Sequence, residues 1–199
     1  MPVLGLDLGG TKLATSLFSE AGELLSKDVF ALERRSGKDV GKLISSAVLN
    51  CLRRADAPVR AIGVSVPGIA RSKTGTVWAP NIPGWDDYPL VEEIGAVAGD
   101  IPVSIDSDRA CCMLGELWQG NARGCKDAIY VAVGTGIGAG ILIDGTILRG
   151  SHDIAGSIGW MALDKPFRDK YISCGCFEYF ASGDGIAKLT HELLEEDKS

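Results

Sequence analysis

Asp7 stands two residues ahead of Gly9 and Gly10, and Thr11 and Lys12 follow them, in the stretch VLGLDLGGTK. Each residue type has a chemical use there. Glycine adopts positive φ without steric cost, so a strand ending in Gly-Gly-Thr turns sharply. Such a turn exposes successive backbone N–H groups and forms a concavity suited to an anion. A carboxylate at Asp7 would face a metal–phosphate group. A second glycine turn, Gly134-Thr135-Gly136, lies in VAVGTGIGA. Between the two turns comes Asp106-Ser107-Asp108, at the end of an apolar run. Ligands of open α/β sheets gather at the carboxyl ends of strands, which gives Asp108 a catalytic position. Asp108 also reads as an N-cap for the helix behind it, and the two roles can coexist. Neither glycine turn has the GxxxxGK[ST] pattern, and in the second a strand follows where a dinucleotide-binding motif would have a helix.

The elements that must hold these groups show in the apolar pattern. VLGLDL, LATSLFS and LLSKDVFAL read as three strands around tight turns. About 125 residues later the pattern returns: IYVAVGTG matches LGLDLGGT, and ILIDGTILRG matches SLFSEAGELL. A repeat of this kind decides architecture, and here it implies a duplicated fold with one phosphate turn per half. Val40, Leu43, Ile44, Ala47, Val48, Cys51 and Leu52 recur at helical spacing and predict a helix over 37–55. AIGVSVPG is a fully apolar strand of the buried parallel kind, ended by Pro67 and Gly68. Residues 69–88 read as a long loop of the active-site type, with Trp78, Ile82 and Trp85 requiring burial. A short helix over 89–98, a strand IPVSID and a helix from 108 to about 119 follow. GNARGCKD marks a boundary, so the expected lobes are 1–121 and 122–199, and a helix GIAKLTHELLEED closes the chain.

The balance of residues bounds the function. At 199 residues and 46% hydrophobic, the chain can bury a sizeable core. A net charge of −6 argues against a general nucleic-acid binder, which carries a basic face. No apolar run reaches the length of a membrane span, and the N-terminus is strand-like with no signal-peptide pattern. A cytoplasmic location with no membrane partner is the expectation. Six cysteines at irregular spacing do not make a secreted disulfide framework.

The whole chain resembles the sugar kinases of the ROK family, within the actin/hexokinase/Hsp70-like fold. The residues that carry the resemblance are LDLGGTK (6–12), VPG (66–68), APNIPGW (79–85), DRACCMLGELWQG (108–120), VGTGIGAGILIDGTILRG (133–150) and EYFASG (178–183). It implies an α/β, actin-like ATPase (ribonuclease H-like) fold of two lobes with duplicated β-hairpin phosphate loops. It implies ATP with Mg2+ as cofactor and a hexose or amino sugar as substrate. It implies phosphate contacts from Asp7, Gly9, Gly10, Thr11 and Lys12 and from Gly134, Thr135 and Gly136. It makes Asp108 the general base toward the attacking hydroxyl and Glu178 a ligand of sugar hydroxyls. Gly68, Asn81 and Ser107 are further sugar contacts. A homodimer is the expected assembly.

The chain departs from the family at several of these positions. Ser107 stands where the family has asparagine, and a hydroxyl lacks the two-sided amide. The segment G-E-x-G-H is here Gly156-Ser157-Ile158-Gly159-Trp160, so Ser157 replaces a sugar-gripping glutamate and Trp160 a histidine. Trp160 offers a stacking face for a sugar or fills the space of a metal, with the second favoured. Of the family's zinc knuckle only Cys174 and Cys176 remain in SCGCFE, so structural zinc is not expected. Family members are longer, and the stretch that closes over adenine has no counterpart here. The expected consequence is a second lobe with an exposed sheet edge or apolar face, poor ATP binding, or completion by a partner. The alternative to a kinase is a non-catalytic sugar-binding or regulatory member of the same fold, or an inactive fragment of a kinase.

Overall fold

A computed structural model describes residues 1–196 and divides into two compact units, Met1–Asp108 and Arg109–Ser199. The last residues of the chain, including the end of the expected final helix, lie outside the described residues.

In the first unit, β1 (Val3–Leu8), β2 (Lys12–Phe18) and β3 (Leu24–Ala31) form an antiparallel meander. Helix α1 (Gly37–Arg54) then carries the chain back to β4 (Ala61–Val66), which pairs with β1 in parallel. The hairpin β5 (Ile69–Arg71) and β6 (Thr76–Trp78) leads to α2 (Leu90–Ala98). β7 (Val103–Ser107) then pairs with β4, again in parallel, giving the sheet order β3-β2-β1-β4-β7.

Strand alternation sets the core. Leu4, Leu6 and Leu8 of β1 and Ile62, Val64 and Val66 of β4 share one sheet face, and Val40, Ile44 and Val48 of α1 pack into the same buried cluster with Leu90 and Ile94 of α2. Period-two and period-four apolar spacing thus meet across one interface. On that face Cys51 Sγ donates to the buried Thr15 Oγ1 at 3.4 Å.

The stretch 69–88, expected as one loop, contains the β5–β6 hairpin, and an isolated bridge joins Val77 to Tyr88. Trp85 and Ile82 are buried as expected, but Trp78 is 37% exposed. The reason is strand alternation: Val77 takes the buried side of the short β6, so its neighbour Trp78 points out. Trp85 stacks on Tyr88 with ring centroids 4.2 Å apart, and its indole N–H donates to Gly37 O at 3.0 Å.

The second unit repeats the meander in β8 (Ala128–Val133), β9 (Ile137–Ile143) and β10 (Thr146–Ile147). Helix α3 (Asp108–Gln119) starts at the last residue of the first unit. Its buried Ala110 and Met113 pack with Leu142 and Ile147, which explains why the units divide at Asp108 and not at residue 121. After the meander come α4 (Cys176–Ala181) and α5 (Gly183–Glu196). No helix among the described residues is long and apolar enough to cross a membrane.

The α1–α2 interface yields two predictions. A Cβ at Gly41 would collide with Tyr88 Oη and Glu93 Oε2, so Gly41→Ala should cost about 1–3 kcal/mol of stability in denaturant unfolding. Tyr88 Oη donates to Glu93 Oε2 at 2.5 Å; burial first, then the carboxylate, holds this phenol above the ordinary tyrosine range. The folded state therefore keeps a proton that the unfolded chain loses. The resulting stability is full below the unfolded phenol's pKa of about 10 and fades as pH rises beyond it. Unfolding midpoints should fall above that pH in the parent and fall less in Tyr88→Phe.

Candidate active site

In the first unit the expected residues come together by strand register. β1, β4 and β7 run parallel, so their carboxyl ends lie along one edge of the sheet. Gly9 and Gly10 follow β1, Pro67 and Gly68 follow β4, and Asp108 follows β7. Gly9 N–H donates to Lys12 O at 2.9 Å and closes the turn, while Gly10, Thr11 and Lys12 are exposed. Asn81 packs over the turn, its Cβ 3.3 Å from where a Cβ on Gly10 would lie. Gly68 takes φ of 94°, and a Cβ there would collide with Trp78 O. Glycine is therefore required on both conformational and steric grounds at this strand end.

Asp7 pairs across the sheet with Ser65, and Ser65 with Asp106, so these residues share one face on three adjacent strands. Ser65 Oγ donates to Asp7 Oδ1 at 3.0 Å. Asp106 Oδ1 accepts from Ser107 N at 2.9 Å, which shapes the step from β7 into α3 just before Asp108. Asp106 and Ser65 were not among the residues expected to do chemistry. Their signal was present near the ends of β4 and β7, where Ser65 follows Val64 and Asp106 follows Ile105. Magnesium binds through one or two carboxylates and keeps water or phosphate oxygens elsewhere. Asp7 and Asp106 supply that kind of donor set. No cluster of three or more His, Cys, Asp or Glu suited to a metal occurs among the described residues.

In the second unit Gly134 and Thr135 are exposed on the turn between β8 and β9, and Gly134 N–H donates to Gly136 O at 2.9 Å. Glu178 of α4 reaches this turn: its Oε2 accepts from Ile137 N at 2.6 Å and lies close to the open side of Gly136. Ser182 caps α5 by accepting from Gly185 N at 2.9 Å, and Gly183 N–H donates to Gly134 O at 2.8 Å. The second turn is thus tied to the positive end of a 14-residue helix.

Ser157 Oγ accepts from Arg109 Nη1 at 3.0 Å, and the Arg109 stem passes over Gly138. Trp160 is 58% exposed, which corrects the favoured expectation that it fills a vacated metal space. The 3-10 turn Ile158–Trp160 buries Gly159 instead and turns the indole outward. Packing beside that turn comes from Tyr171, Cys176 and Tyr179, with Tyr171 edge-on to Tyr179 at 5.5 Å. Tyr179 Oη donates to Glu192, and Lys170 donates to the same carboxylate at 2.9 Å. All six cysteines are free thiols.

Comparison with known proteins shows what the chain as a whole is similar to. The ROK family model matches residues 3–198. The chain is 32% identical over 206 residues to the glucokinase of Halalkalibacterium halodurans, covering 98% of this chain and 61% of that protein. It is 35% identical over 203 residues to the putative xylose repressor of Caldicellulosiruptor sp., covering 97% of this chain and 49% of the other. The ROK hexokinase structure from Thermus thermophilus superposes with a TM-score of 0.84 at 32% identity, covering 98% of this chain and 65% of that one. A ROK glucokinase from Streptomyces griseus, in complex with glucose and AMPPNP, gives a TM-score of 0.77 at 29% identity, over 94% of this chain and 59% of that one.

The Glu178 contact is directly testable. Glu178→Ala removes a charge-assisted acceptor, so the Ile137 amide should exchange about ten- to a hundredfold faster. An unchanged rate in amide exchange by NMR would mean that the turn holds itself.

Proposed function

The chain belongs to the ROK family and has its actin-like α/β fold, and on that premise we propose that it carries the phosphate-turn and base elements of an ATP-dependent sugar kinase. The observation that carries this reading is the register of β1, β4 and β7, which sets two glycine-dependent turns and Asp108 on one sheet edge. The ligands of the Streptomyces griseus glucokinase support the substrate classes, a hexose and an adenine nucleotide.

Phosphoryl transfer needs positioning and charge stabilisation more than covalent help from the protein. In this reading Gly10, Thr11 and Lys12 meet phosphate oxygens from the first unit. Gly134, Thr135 and Gly136 form the corresponding phosphate turn of the second unit, where the α5 N-terminus adds a favourable dipole. Magnesium, when bound, neutralises phosphate charge, and Asp7 with Asp106 would hold it. Asp108 accepts the proton of the sugar hydroxyl as that oxygen bonds to phosphorus. Gly68, Asn81 and Ser107 are the first unit's sugar-orienting residues, and Glu178 is that of the second. Glu178 would do this while its other contact keeps the Ile137 end of the turn in place. Ser157 and Trp160 would give the sugar a neutral hydroxyl and an exposed indole face in place of a carboxylate and an imidazole.

The repressor relative, together with Ser157 and Trp160, favours a second reading in which the chain binds sugar without turning it over. A coupled ADP-release assay over a sugar panel separates the two. The kinase reading expects turnover with at least one hexose or amino sugar, and a loss of about 10³-fold in Asp108→Asn with an unchanged circular dichroism spectrum. Near-native turnover in that variant removes Asp108 from the mechanism. Sugar binding by calorimetry with no ADP release supports the non-catalytic reading.

A further inference from the structure

The stretch APNIPGW (79–85) leaves the end of β6 as a closed loop. Ala79 N–H donates to Trp85 O at 2.8 Å and shuts its base. Inside it, Ile82 N–H donates to Ala79 O at 3.0 Å and Trp85 N–H to Ile82 O at 3.1 Å. Pro80 and Pro83 fix their own φ, and Gly84 takes φ of 85°, so few backbone torsions stay soft. Ile82 and Trp85 are buried and anchor the loop in the core of the first unit. Asn81 is exposed and leans on the Gly10 turn through its Cβ. Its side-chain amide has no hydrogen bond among the described residues, so both of its faces are open to a ligand. An orienting amide of this kind works only where its support holds it to a fraction of an ångström.

The start of α1 supplies that support. Gly37 N–H donates to Pro83 O at 2.8 Å, and Trp85 Nε1–H donates to Gly37 O at 3.0 Å. The loop thus holds Gly37 through both its amide and its carbonyl. A Cβ on Gly84 would stand 3.4 Å from Gly37 Cα, so the two backbones pass closely. Gly37 is in turn fixed from the side of the phosphate turn. Leu32 N–H donates to Thr11 O at 2.8 Å, and Arg35 N–H to Leu32 O at 2.8 Å. The turn between them sets Glu33 and Arg34 at φ of 48° and 60°. Two consecutive non-glycine residues in the left-handed region are costly and persist where the surroundings dictate the path. That strained segment is the link from Thr11 to Gly37.

We propose that Trp85 is a positioning residue of the sugar site: its indole N–H, bonded to Gly37 O, sets where the Asn81 amide stands over the first phosphate turn. The functional half of this claim rests on the sugar-orienting role proposed for Asn81. Burial alone does not require tryptophan. Trp85 stacks on Tyr88 with ring planes 4° apart, and phenylalanine would keep an aromatic face there without a donor. Without the N–H the loop keeps its three internal bonds and loses one of its two hydrogen-bonded ties to Gly37. The loop then shifts as a body, and Asn81 moves with it.

The test uses the isotope-labelled full chain. In the ligand-free protein, Trp85→Phe should shift or broaden the Asn81 side-chain amide and the Gly10 backbone amide in NMR spectra. Benzothienylalanine at position 85 keeps the two-ring shape and lacks the donor, so it removes the bond without opening a cavity and should do the same. Calorimetry with glucose and with N-acetylglucosamine gives the second readout. Trp85→Phe should weaken binding of the sugar that the parent takes by about tenfold. Trp85→Phe combined with Asn81→Ala should lose no more than Asn81→Ala alone, because two changes acting through one contact do not add. Unmoved Asn81 resonances in the benzothienylalanine variant overturn the proposal, as do additive losses in the double variant. A parent that binds neither sugar counts against the sugar-site reading, and the ligand-free spectra then decide the positioning role by themselves.

Discussion

Parallel pairing of β1 with β4, and of β4 with β7, is the constraint on which the first unit depends. It sets Leu4 and Leu6 beside Ile62 and Val64 on one face and Asp7 beside Ser65 and Asp106 on the other. The same register brings the glycine turn, the Pro67-Gly68 turn and Asp108 to one edge. A slip of one residue would exchange the two faces, burying carboxylates and exposing leucines. The apolar face therefore protects the placement of the polar one, and core packing and site geometry are set together.

The second unit uses a related meander under different support. Its glycine turn is held from α4 by Glu178 and from α5 by the Gly183–Gly134 bond. α3 packs against the β9 glycines: a Cβ on Gly140 would collide with Arg109 O, and Met113 Cβ would stand 2.8 Å away. The second unit packs aromatic rings around Tyr171 and joins Tyr179 and Lys170 to Glu192. The Glu192 carboxyl is held below its ordinary range, first by the Tyr179 hydroxyl and then by Lys170, as expected for a carboxylate that accepts both bonds.

Much of this was legible without coordinates, because local patterns carry it. The 37–55 helix, the strand AIGVSV and the repeated strand–turn–strand units follow from periodicity and glycine placement, and the structure has them within a residue or two. Membership of the ROK family followed from several motifs in order along the chain, and the family match spans 3–198. Three features were not legible. The β5–β6 hairpin hides in a polar stretch whose strands are only three residues each. The outward turn of Trp160 depends on which neighbour a short 3-10 turn buries. The grouping of α3 with the second unit depends on contacts to Leu142 and Ile147, far along the chain.

By itself the sequence determined which residues can form strands, helices and phosphate-sized turns, since these follow from side-chain period and backbone freedom over a few residues. Tertiary structure alone decided that Asp7, Ser65 and Asp106 form one row and that Glu178 holds the second turn. The physical reason is that burial and hydrogen-bond partnership depend on which distant strand or helix arrives beside a residue. Among the described residues β1 has a strand on each side, β2 and β4, while β8 pairs with β9.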